Sequence, residues 1–577
     1  MNFKQYLPVF QWASSYQKGW LKPDIFAGLT VGVMIVPQGI AYAMIAGLPP
    51  IYGLYTALIP LLVYAVLGTS RQLSVGPVAM DSLIVASGIS TLATVGSEHF
   101  VILAITLAFF VGLFQILFGL FRLGFLVNFL SRPVISGFTS GSAIIIAFNQ
   151  VGNLFGIPLG QDNHIHFLLL DFFKEIQKIN WITALIGISS VALLFISKRY
   201  LPKFPASFVI VVLGIIFVYA FHLSELGVAV IGEIPEGLPH FQLPSINQEN
   251  FQALSSLALT LALIGFMEAI SAAKTMESKH NDHKVNANQE LVALGFGNMM
   301  GSFFQAYPST AGLSRTAVND QAGGKTQLSG VISALVVGLT LLFLTPVFFF
   351  LPKAVLAAII IFAAFGLLDF KVPRKLLTFN RLDLIILNVT LLITIVFGIK
   401  EGILTGIIIS LAMLIFKSTK PHIAVLGKVP NTNFYRNIER FGDLVIDKEI
   451  LIIRLDAQLY FVNTSYFKDK VHEFAREKGD DLKLIILVFD SVNNLDSSAI
   501  YVLDEIHNFF IERGISIALT GIKGPVRDAL AKSGLVKKIK YDHCFMNIQD
   551  AVDSFSQNKL QKPSTYSYQQ FIKQINR

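Results

Sequence analysis

Long apolar stretches occupy most of the first 420 residues of this 577-residue chain. A helix needs about 20 mostly apolar residues to cross the roughly 30 Å hydrocarbon core of a bilayer. Hydrophobic residues make up 53% of the chain and charged residues only 14%, which is too apolar for a set of water-soluble cores. The chain is therefore predicted to be an α-helical polytopic membrane protein. Fourteen stretches, some short or interrupted, are predicted to span the membrane: residues 25–46, 50–67, 77–95, 99–121, 133–151, 181–197, 206–222, 252–273, 288–304, 313–322, 328–350, 353–369, 383–398 and 400–417.

Charge density divides the chain into a membrane part and a soluble part. Of its 82 Asp, Glu, Lys and Arg residues, 42 lie in the first 420 positions and 40 lie in the last 157. The soluble part has 21 basic and 19 acidic residues and no basic run, so nucleic acid is not expected as a partner. The predicted organisation is a cytoplasmic N-terminal segment (1–24), a transmembrane domain (25–420), a soluble domain (421–555) and a polar C-terminal tail (556–577).

The distribution of Lys and Arg between the spans predicts the orientation of the chain. Alternate connections hold most of these residues, among them Arg71, Arg132 and Lys375, whereas the intervening segment 223–250 is acidic. Positively charged loops stay on the cytoplasmic side. With an even number of spans, both termini and the soluble domain are expected in the cytoplasm, in a multi-pass protein of the plasma (inner) membrane. No cleaved signal peptide is expected at the start.

The soluble domain alternates strand-like and helix-like patterns. This alternation predicts a small α/β domain. Strands are predicted at 449–461, 482–492 and 515–522, and helices at 465–478, 497–513 and 524–534.

Two of the predicted spans are interrupted at corresponding places. SVGPVAMDSL (74–83) begins the third span, and YPSTAGLSRTAV (307–318) begins the tenth. Each opens with Gly, Pro and hydroxyl residues before it becomes apolar. Because seven spans are an odd number, a second set of seven enters the membrane from the opposite side. The chain is therefore predicted to contain 7+7 inverted repeats, and matched broken spans in such repeats indicate a transport site.

Helices that begin at mid-membrane leave backbone N–H groups unpaired and present a partial positive charge, which suits an anion. Gly76 and Gly312 allow close approach to the backbone, and Arg315 adds a full charge. The alternative interpretation is two kinked but ordinary spans with helix-capping residues. Further hydroxyl donors are expected from Ser74, Ser309, Thr310 and Ser314.

Polar residues within the first span form a second part of the candidate site. Gln38 and Tyr42 share one helix face, next to the helix-bending Pro37. Both are predicted to line a polar cavity, although a hydrogen bond between two helices would also explain them.

Two carboxylates lie within predicted spans, where an ionised group is costly unless it is paired, protonated or bound to a cation. Glu268 is a candidate for coupling to H⁺ or Na⁺, and a fixed pair with Lys274 or Arg315 is the alternative. Ala272, one turn beyond, offers no side-chain oxygen for Na⁺, which slightly favours H⁺, although Ser271 and backbone carbonyls leave Na⁺ open. Asp81 is a second coupling candidate, with a structural role equally open.

Other motifs do not support an enzyme, a cofactor or a metal. AGGKTQ (322–327) resembles a phosphate-binding loop, but Asn319 stands where that motif requires Gly. Cys544 is the only cysteine, which excludes an internal disulfide and a cysteine metal cluster. No catalytic triad or carboxylate pair gathers in the soluble domain. Two sparse histidine pairs are not expected to bind zinc: His164 with His166, and His280 with His283.

The segments 28–83 and 288–330 resemble the SulP/SLC26 anion transporter family, and 488–506 resembles the characteristic segment of a STAS domain. The resemblance covers nearly the whole chain. It implies a core domain of spans 1–4 and 8–11, a gate domain of spans 5–7 and 12–14, and a homodimer. It also implies that the anion binds between the starts of spans 3 and 10. Whether the STAS domain binds a cytoplasmic partner is left open by the sequence.

The resemblance places the span-8 carboxylate on Glu268. Ser498 corresponds to a serine that is phosphorylated in related regulatory proteins, but those have Gly where this chain has Ala499. Ser498 as a regulatory site is therefore open, and a serine that caps the following helix is the alternative. The anion-binding positions implied are Gln38, Tyr42, Val75, Gly76, Pro77, Ala311, Gly312, Leu313, Ser314 and Arg315.

Three functions fit these features. The first is a secondary carrier of a small anion (sulfate, bicarbonate or a dicarboxylate), driven by H⁺ or Na⁺ and working by alternating access. The second is an uncoupled anion channel or exchanger on the same fold. The third is a membrane sensor whose output is the STAS domain.

Overall fold

The computed structural model describes residues 7–125, 131–157, 165–200, 206–281 and 283–557. They form two compact units, Met1–Ser410 and Leu411–Arg577. The predicted tail at 556–577 lies outside the described residues from 558 onwards, as does His164 of the first histidine pair.

The membrane unit is helical. Over the described residues, a helix coincides with each of the fourteen predicted spans, and eight helical segments are long and apolar enough to cross a bilayer. The α-helices are α1 (Val9–Ser14), α2 (Leu21–Ile45), α3 (Pro50–Leu67), α4 (Ala79–Ile89), α5 (Glu98–Leu120), α6 (Arg132–Asn149), α7 (Val151–Phe155), α8 (Ile165–Glu175), α9 (Trp181–Tyr200), α10 (Ala206–Ala220), α11 (Gln248–His280), α12 (Ala287–Phe303), α13 (Leu313–Gln321), α14 (Leu328–Leu339), α15 (Lys353–Leu367), α16 (Lys371–Phe379), α17 (Arg381–Phe397) and α18 (Ile399–Thr419).

The third and tenth spans are half-helices. α4 has 11 residues and α13 has 9, so at about 1.5 Å per residue neither crosses the hydrocarbon core. A two-residue strand precedes each of them, β1 (Val75–Gly76) and β2 (Thr310–Ala311). Pro77 follows β1 directly, and because a residue before proline is kept extended, α4 cannot begin before Pro77.

The helices of the membrane unit pack in two groups. The core group comprises α2 to α5 and α11 to α14, and the gate group comprises α6, α9, α10, α15 and α17. In the core group α14 packs against α2 and α3, and α5 packs in the same way against α11 and α12. In the gate group α17 packs against α6, and α9 packs against α15. In each group, the second contact is obtained from the first by replacing every span with the span seven positions away in the chain. This correspondence is the pattern of inverted repeats.

Close backbone contact joins α2 and α3. They cross at Gly39 and Gly53, where a Cβ on Gly53 would lie 1.9 Å from the Gly39 carbonyl oxygen. Small residues at such a crossing allow two membrane helices to pack through their backbones.

Gly53→Ala is expected to force α2 and α3 apart and to destabilise the membrane unit by about 2 kcal/mol or more. The apparent Tm of the purified chain in detergent would fall. Gly366→Ala is the matched control, because a Cβ on this helical glycine meets no atom within 4 Å. Equal Tm values for the two variants would contradict the predicted clash.

The second unit confirms the predicted α/β domain. Its six-stranded sheet has the order β4-β3-β5-β6-β7-β8, parallel from β5 to β8 and antiparallel at β3. Each predicted strand and helix is present, whereas sequence reasoning missed β3, β4, β8, α22 and α23. The elements are β3 (Ile423–Lys428), β4 (Tyr435–Asn437), β5 (Ile450–Leu455), α19 (Thr464–Lys478), β6 (Leu484–Val488), α20 (Ser497–Ile511), β7 (Ser516–Thr520), α21 (Gly524–Lys532), α22 (Leu535–Ile539), β8 (Cys544–Phe545) and α23 (Ile548–Ser556).

Candidate anion-binding site

The two broken spans meet through their short strands. β1 and β2 pair antiparallel, with Val75 opposite Ala311 and Gly76 opposite Thr310. The ribbon is extended by a hydrogen bond of 3.0 Å from the Gly312 N–H to the Ser74 carbonyl. Segments that are more than 220 positions apart in sequence therefore come together in the core group, with the starts of α4 and α13 next to each other.

Neither half-helix has a side-chain cap. The N-cap positions are Val78 for α4 and Gly312 for α13, and neither side chain accepts a hydrogen bond from the helix. The first-turn N–H groups are left without a side-chain capping partner. At the start of α13 no acidic residue offsets the partial positive charge, whereas Asp81 lies in the first turn of α4. The paired starts therefore suit a small anion.

Arg315 lies between these helix starts and is fully buried, with 1% of its surface exposed. Its Nη1 donates to the Pro77 carbonyl at 2.8 Å and lies 3.5 Å from Oε1 of Gln38, a weak contact. Its Nε and Nη2 have no partner among the described residues. A buried guanidinium with unused donors is costly, and an anion would satisfy it.

The predicted residues of the first span lie beside Arg315. Gln38 is buried on α2, and the charge of Arg315 acts on the buried ring of Tyr42. Gln38 does reach another helix through Arg315, but in the described part of the chain no hydrogen bond to the Tyr42 hydroxyl is found. The arrangement favours the interpretation that Gln38 and Tyr42 form a polar wall of the site over the interpretation that they form a hydrogen bond between two helices.

Two of the predicted residues face open space. Leu313 is 57% exposed and Ser314 is also exposed, although Gly312 and Arg315 on either side are buried. These two residues therefore lie on the exposed face of the first turn of α13. Val75, Gly76, Pro77 and Ala311 form the buried wall behind it.

The hydroxyl residues divide into two kinds. Ser309 donates its hydroxyl to Oδ1 of Asn298 at 3.0 Å, and Thr310 donates to the Gly265 carbonyl at 2.5 Å. These two hold the ribbon in place and are not available as the ligand donors that the sequence predicted. The buried Ser74 hydroxyl has no partner among the described residues, and Ser314 is exposed, so these two keep that role open.

A side chain at position 312 would collide with the guanidinium. A Cβ on Gly312 would lie 2.7 Å from Cζ of Arg315. Gly312→Ala is expected to displace Arg315 and raise the KM for the anion about tenfold, because one charge-assisted contact is lost. Uptake into proteoliposomes measures this change, with Gly366→Ala as the control. An unchanged KM would show that Arg315 can move without weakening anion binding.

The two intramembrane carboxylates lie close to this site. Asp81, in the first turn of α4, is 2% exposed, and its Oδ1 has no partner among the described residues. Asp81 also lies against α11, since its Oδ2 would be 3.4 Å from a Cβ placed on Gly265, three residues before Glu268. Glu268 forms no ion pair over the described ranges, and Lys274 instead pairs with Glu277 at 2.5 Å. A fixed pair of Glu268 with Lys274 is therefore not supported, and a pair with Arg315 stays an alternative.

Sequence reasoning missed the residues that fix the ribbon from behind. Asn298 accepts from the Ser309 N–H at 2.7 Å and donates to its carbonyl at 3.0 Å, while Tyr307 bonds Ser82 of α4 at 2.9 Å through its hydroxyl. Thr56 of α3 accepts from the Tyr307 N–H at 3.0 Å. The signal was present, since Asn298 is an amide inside an apolar stretch, where it needs partners.

The loop that resembled a phosphate site is filled by the chain itself. The buried Asp24 carboxylate accepts from the N–H groups of Lys325 at 2.6 Å and Thr326 at 3.0 Å. These donors join the start of α2 to the loop before α14, which agrees with rejecting phosphate binding there.

In the soluble unit, Asp496 caps α20 by accepting from the Ala499 N–H at 2.8 Å. The alternative that a serine is the cap is therefore wrong, and Ser498 is partly exposed on the first turn. Burial raises the pKa of the Cys544 thiol to about 12, so this cysteine stays protonated at neutral pH.

Half-helices that meet start to start, in a membrane domain built from inverted repeats, are typical of secondary transporters. The chain belongs to the sulfate permease family, whose profile matches residues 21–390, and the STAS domain profile matches residues 443–551. The expected family and fold are confirmed, and the chain is an anion transporter of this family.

Curated relatives are similar over nearly the full length. Sulfate transporter 4.1, chloroplastic, of Arabidopsis thaliana is 37% identical over 566 residues, which cover 94% of this chain and 82% of that protein. A probable sulfate transporter of Mycobacterium tuberculosis is 32% identical over 540 residues, covering 94% and 96%. These names describe transporters and not enzymes, as the sequence led us to expect.

Solved structures have the same fold. SLC26A9 superposes with a TM-score of 0.89 at 27% identity, covering 96% of this chain and 93% of that one. The transmembrane domain of BicA, a cyanobacterial bicarbonate transporter, gives 0.59 at 26% identity, covering 69% and 98%.

Proposed function

We propose that this chain is a secondary active carrier of a small oxyanion, with sulfate as the first substrate to test. One observation carries this proposal: the buried Arg315 guanidinium has unused donors between two uncapped helix starts. Helix starts and a guanidinium both bind oxygen-rich anions. The named sulfate transporters among the relatives support sulfate, and BicA makes bicarbonate the second anion to test.

The anion site comprises the paired helix starts, Arg315 and the wall of the first span. Backbone N–H groups of α4 and α13 supply most of the donors, and Arg315 supplies the charge. Gln38 and Tyr42 close one side, while Leu313 and Ser314 face the access route. Backbone N–H donors discriminate poorly between anions of different shape. Selectivity between sulfate and bicarbonate therefore depends on the space left by the side chains of Gln38, Tyr42, Leu313 and Ser314.

The two packing groups support transport by alternating access. The ribbon, Arg315 and Glu268 all belong to the core group, so a bound anion would move with it as one body. The gate group touches the core mainly where α2 meets α10 and α15, and where α4 meets α6 and α15. Sliding along these few contacts would expose the site first to one side of the membrane and then to the other.

Glu268 is proposed to couple transport to a cation, and H⁺ is preferred over Na⁺. Over the described residues it has no ion pair with Lys274, and it lies on α11, whose Gly265 carbonyl accepts a hydrogen bond from Thr310 of the ribbon. A proton needs only this carboxylate, whereas Na⁺ needs several oxygens and Ala272 supplies none from its side chain. Asp81 is the second candidate for the same task.

The orientation, cellular membrane and assembly remain proposals. We infer from the charge distribution of the loops that both termini and the STAS domain are cytoplasmic in a plasma (inner) membrane protein. Family resemblance supports a homodimer, in which each chain has its own site.

Uptake of labelled sulfate into proteoliposomes tests the function directly. An inwardly directed H⁺ gradient should drive accumulation, and a Na⁺ gradient alone should not. Flux that is equal with and without either gradient would favour an uncoupled channel or exchanger. Absence of flux for both sulfate and bicarbonate would contradict the proposed transport of these anions. The membrane sensor with the STAS domain as its output would then be the favoured function.

A further inference from the structure

A short amphipathic helix, α16, forms the connection between the predicted spans 353–369 and 383–398. Three residues separate it from the end of α15, and one residue separates it from the start of α17. A chain extends by at most about 3.5 Å per residue, so three residues reach no further than about 10 Å. Both ends of α16 are therefore held at the surface of the bilayer, on the side predicted to be cytoplasmic.

Three cations project from one face of α16. Lys371, Arg374 and Lys375 stand at positions i, i+3 and i+4 of the helix. All three are exposed, and over the described residues their side chains form no hydrogen bond or ion pair. Like charges four residues apart destabilise a helix. An anionic ligand along this face would remove the repulsion.

The acidic residues next to α16 are not paired with these cations. Asp369 accepts from the N–H groups of Lys371 at 2.9 Å and Val372 at 3.1 Å, so it caps the helix. Its Oδ2 accepts from the Ser136 hydroxyl at 3.3 Å, which joins α16 to α6. Asp383 lies in the first turn of α17, and within the described ranges it forms no ion pair with the three cations. The positive face of α16 therefore keeps its charge.

Apolar side chains lie beside this positive face. Val372, Pro373 and Leu376 are half-buried where α16 packs against α6 and α17. Leu377 is 60% exposed and Phe379 is 82% exposed, and at about 100° per residue they flank the cations on either side. In a membrane interface, such residues enter the acyl boundary while lysine and arginine extend to the headgroups. At the bilayer surface, this arrangement favours a phospholipid over an acidic protein segment.

We propose that α16 binds the headgroups of anionic phospholipids through Lys371, Arg374 and Lys375, with Leu377 and Phe379 at the acyl boundary. Anionic lipids attract basic segments that lie next to membrane spans. Because α16 is joined to α6, α15 and α17 of the gate group, a bound lipid would fix this group to the membrane surface. This surface lies outside the anion site, so lipid binding here does not depend on the transported substrate.

Hydrogen exchange of the full-length chain in nanodiscs tests the proposal at the helix itself. Backbone amides of residues 371–380 are followed by mass spectrometry in phosphatidylcholine alone and in a mixture with phosphatidylglycerol. Exchange is expected to be about tenfold slower in the anionic mixture, because a ligand that binds only the folded helix suppresses its opening. The difference should shrink in about 1 M salt, which screens exposed charges. Both leaflets of a nanodisc have the same composition, so the result does not depend on the orientation of the chain.

A variant that combines Lys371→Gln, Arg374→Gln and Lys375→Gln should lose the response to phosphatidylglycerol. The three side chains are exposed, so the fold should be retained, and equal Tm values of the variant and the unchanged chain in phosphatidylcholine verify this. A second variant, Lys371→Arg with Lys375→Arg, keeps the charge and should keep the response.

The matched control removes the same charge from the soluble unit. It combines Lys532→Gln, Lys537→Gln and Lys540→Gln, at exposed lysines, and should respond to phosphatidylglycerol like the unchanged chain. Exchange at 371–380 that is equal in the two lipid mixtures would overturn the proposal. A response that persists in the glutamine variant of α16 would do the same, because the three cations would then not be the contacts.

Discussion

Arg315→Gln is expected to raise the KM for the transported anion roughly 30- to 150-fold, because about 2–3 kcal/mol of charge-assisted hydrogen bonding is lost. The guanidinium is fully buried and keeps two nitrogens unpaired beside the helix starts. Glutamine cannot supply the charge, and it restores at most one donor. Initial rates of labelled sulfate uptake into proteoliposomes measure the effect.

Two further variants separate charge from shape at this position. Arg315→Lys keeps the charge but lacks the planar fork, so an intermediate KM is expected. Lys18→Gln, at an exposed lysine before α2, controls for the loss of a positive charge elsewhere and should transport normally. If Arg315→Gln matches that control in KM while its Tm is unchanged, the anion is not held by this residue.

The sequence predicted the broken spans because their composition is exceptional for a membrane helix. The glycine, proline and hydroxyl residues at 74–83 and 307–318 indicate that the helix is interrupted there. Because the two segments begin the third span of each set of seven spans, the sequence also indicates that they pair. Their meeting as a β-ribbon, with Gly76 opposite Thr310, was not predictable, since two-residue strands leave no periodic pattern.

The roles of single polar residues were harder to predict, because a hydroxyl or carboxylate does not reveal its partner. Thr310 looked like a ligand donor but bonds the Gly265 carbonyl of a neighbouring helix. Asn298 was passed over, yet it fixes both the N–H and the carbonyl of Ser309. Such pairings depend on which helices are adjacent, and this is decided by the whole packed domain.

Exposure also could not be deduced from the chain. Leu313 is apolar and follows a glycine, so its sequence context suits a buried position. It is instead exposed at the start of α13, between the buried Gly312 and Arg315. The sequence identifies where the chain breaks, and the packing of the neighbouring helices determines which residues at the break are exposed.

Glu268→Gln is expected to abolish accumulation driven by a pH gradient while leaving anion exchange largely intact. A difference of one pH unit across the membrane supplies about 1.4 kcal/mol per proton. One co-transported proton therefore supports up to about tenfold accumulation of the anion for each pH unit. Glutamine resembles the protonated carboxyl group but cannot release a proton. The variant carrier should therefore move across the membrane only with the anion bound, so it should exchange anions but not accumulate them.

Two assays distinguish these outcomes. Net uptake under an imposed pH gradient should fall to the equilibrated level in Glu268→Gln, and exchange of labelled for unlabelled sulfate should persist. Asp81→Asn is the comparison within the site, since the Asp81 carboxylate is buried and lies against α11 near Glu268. If Glu268→Gln still accumulates the anion and Asp81→Asn does not, the coupling group is Asp81, because a buried carboxyl group without a fixed partner can take up and release a proton.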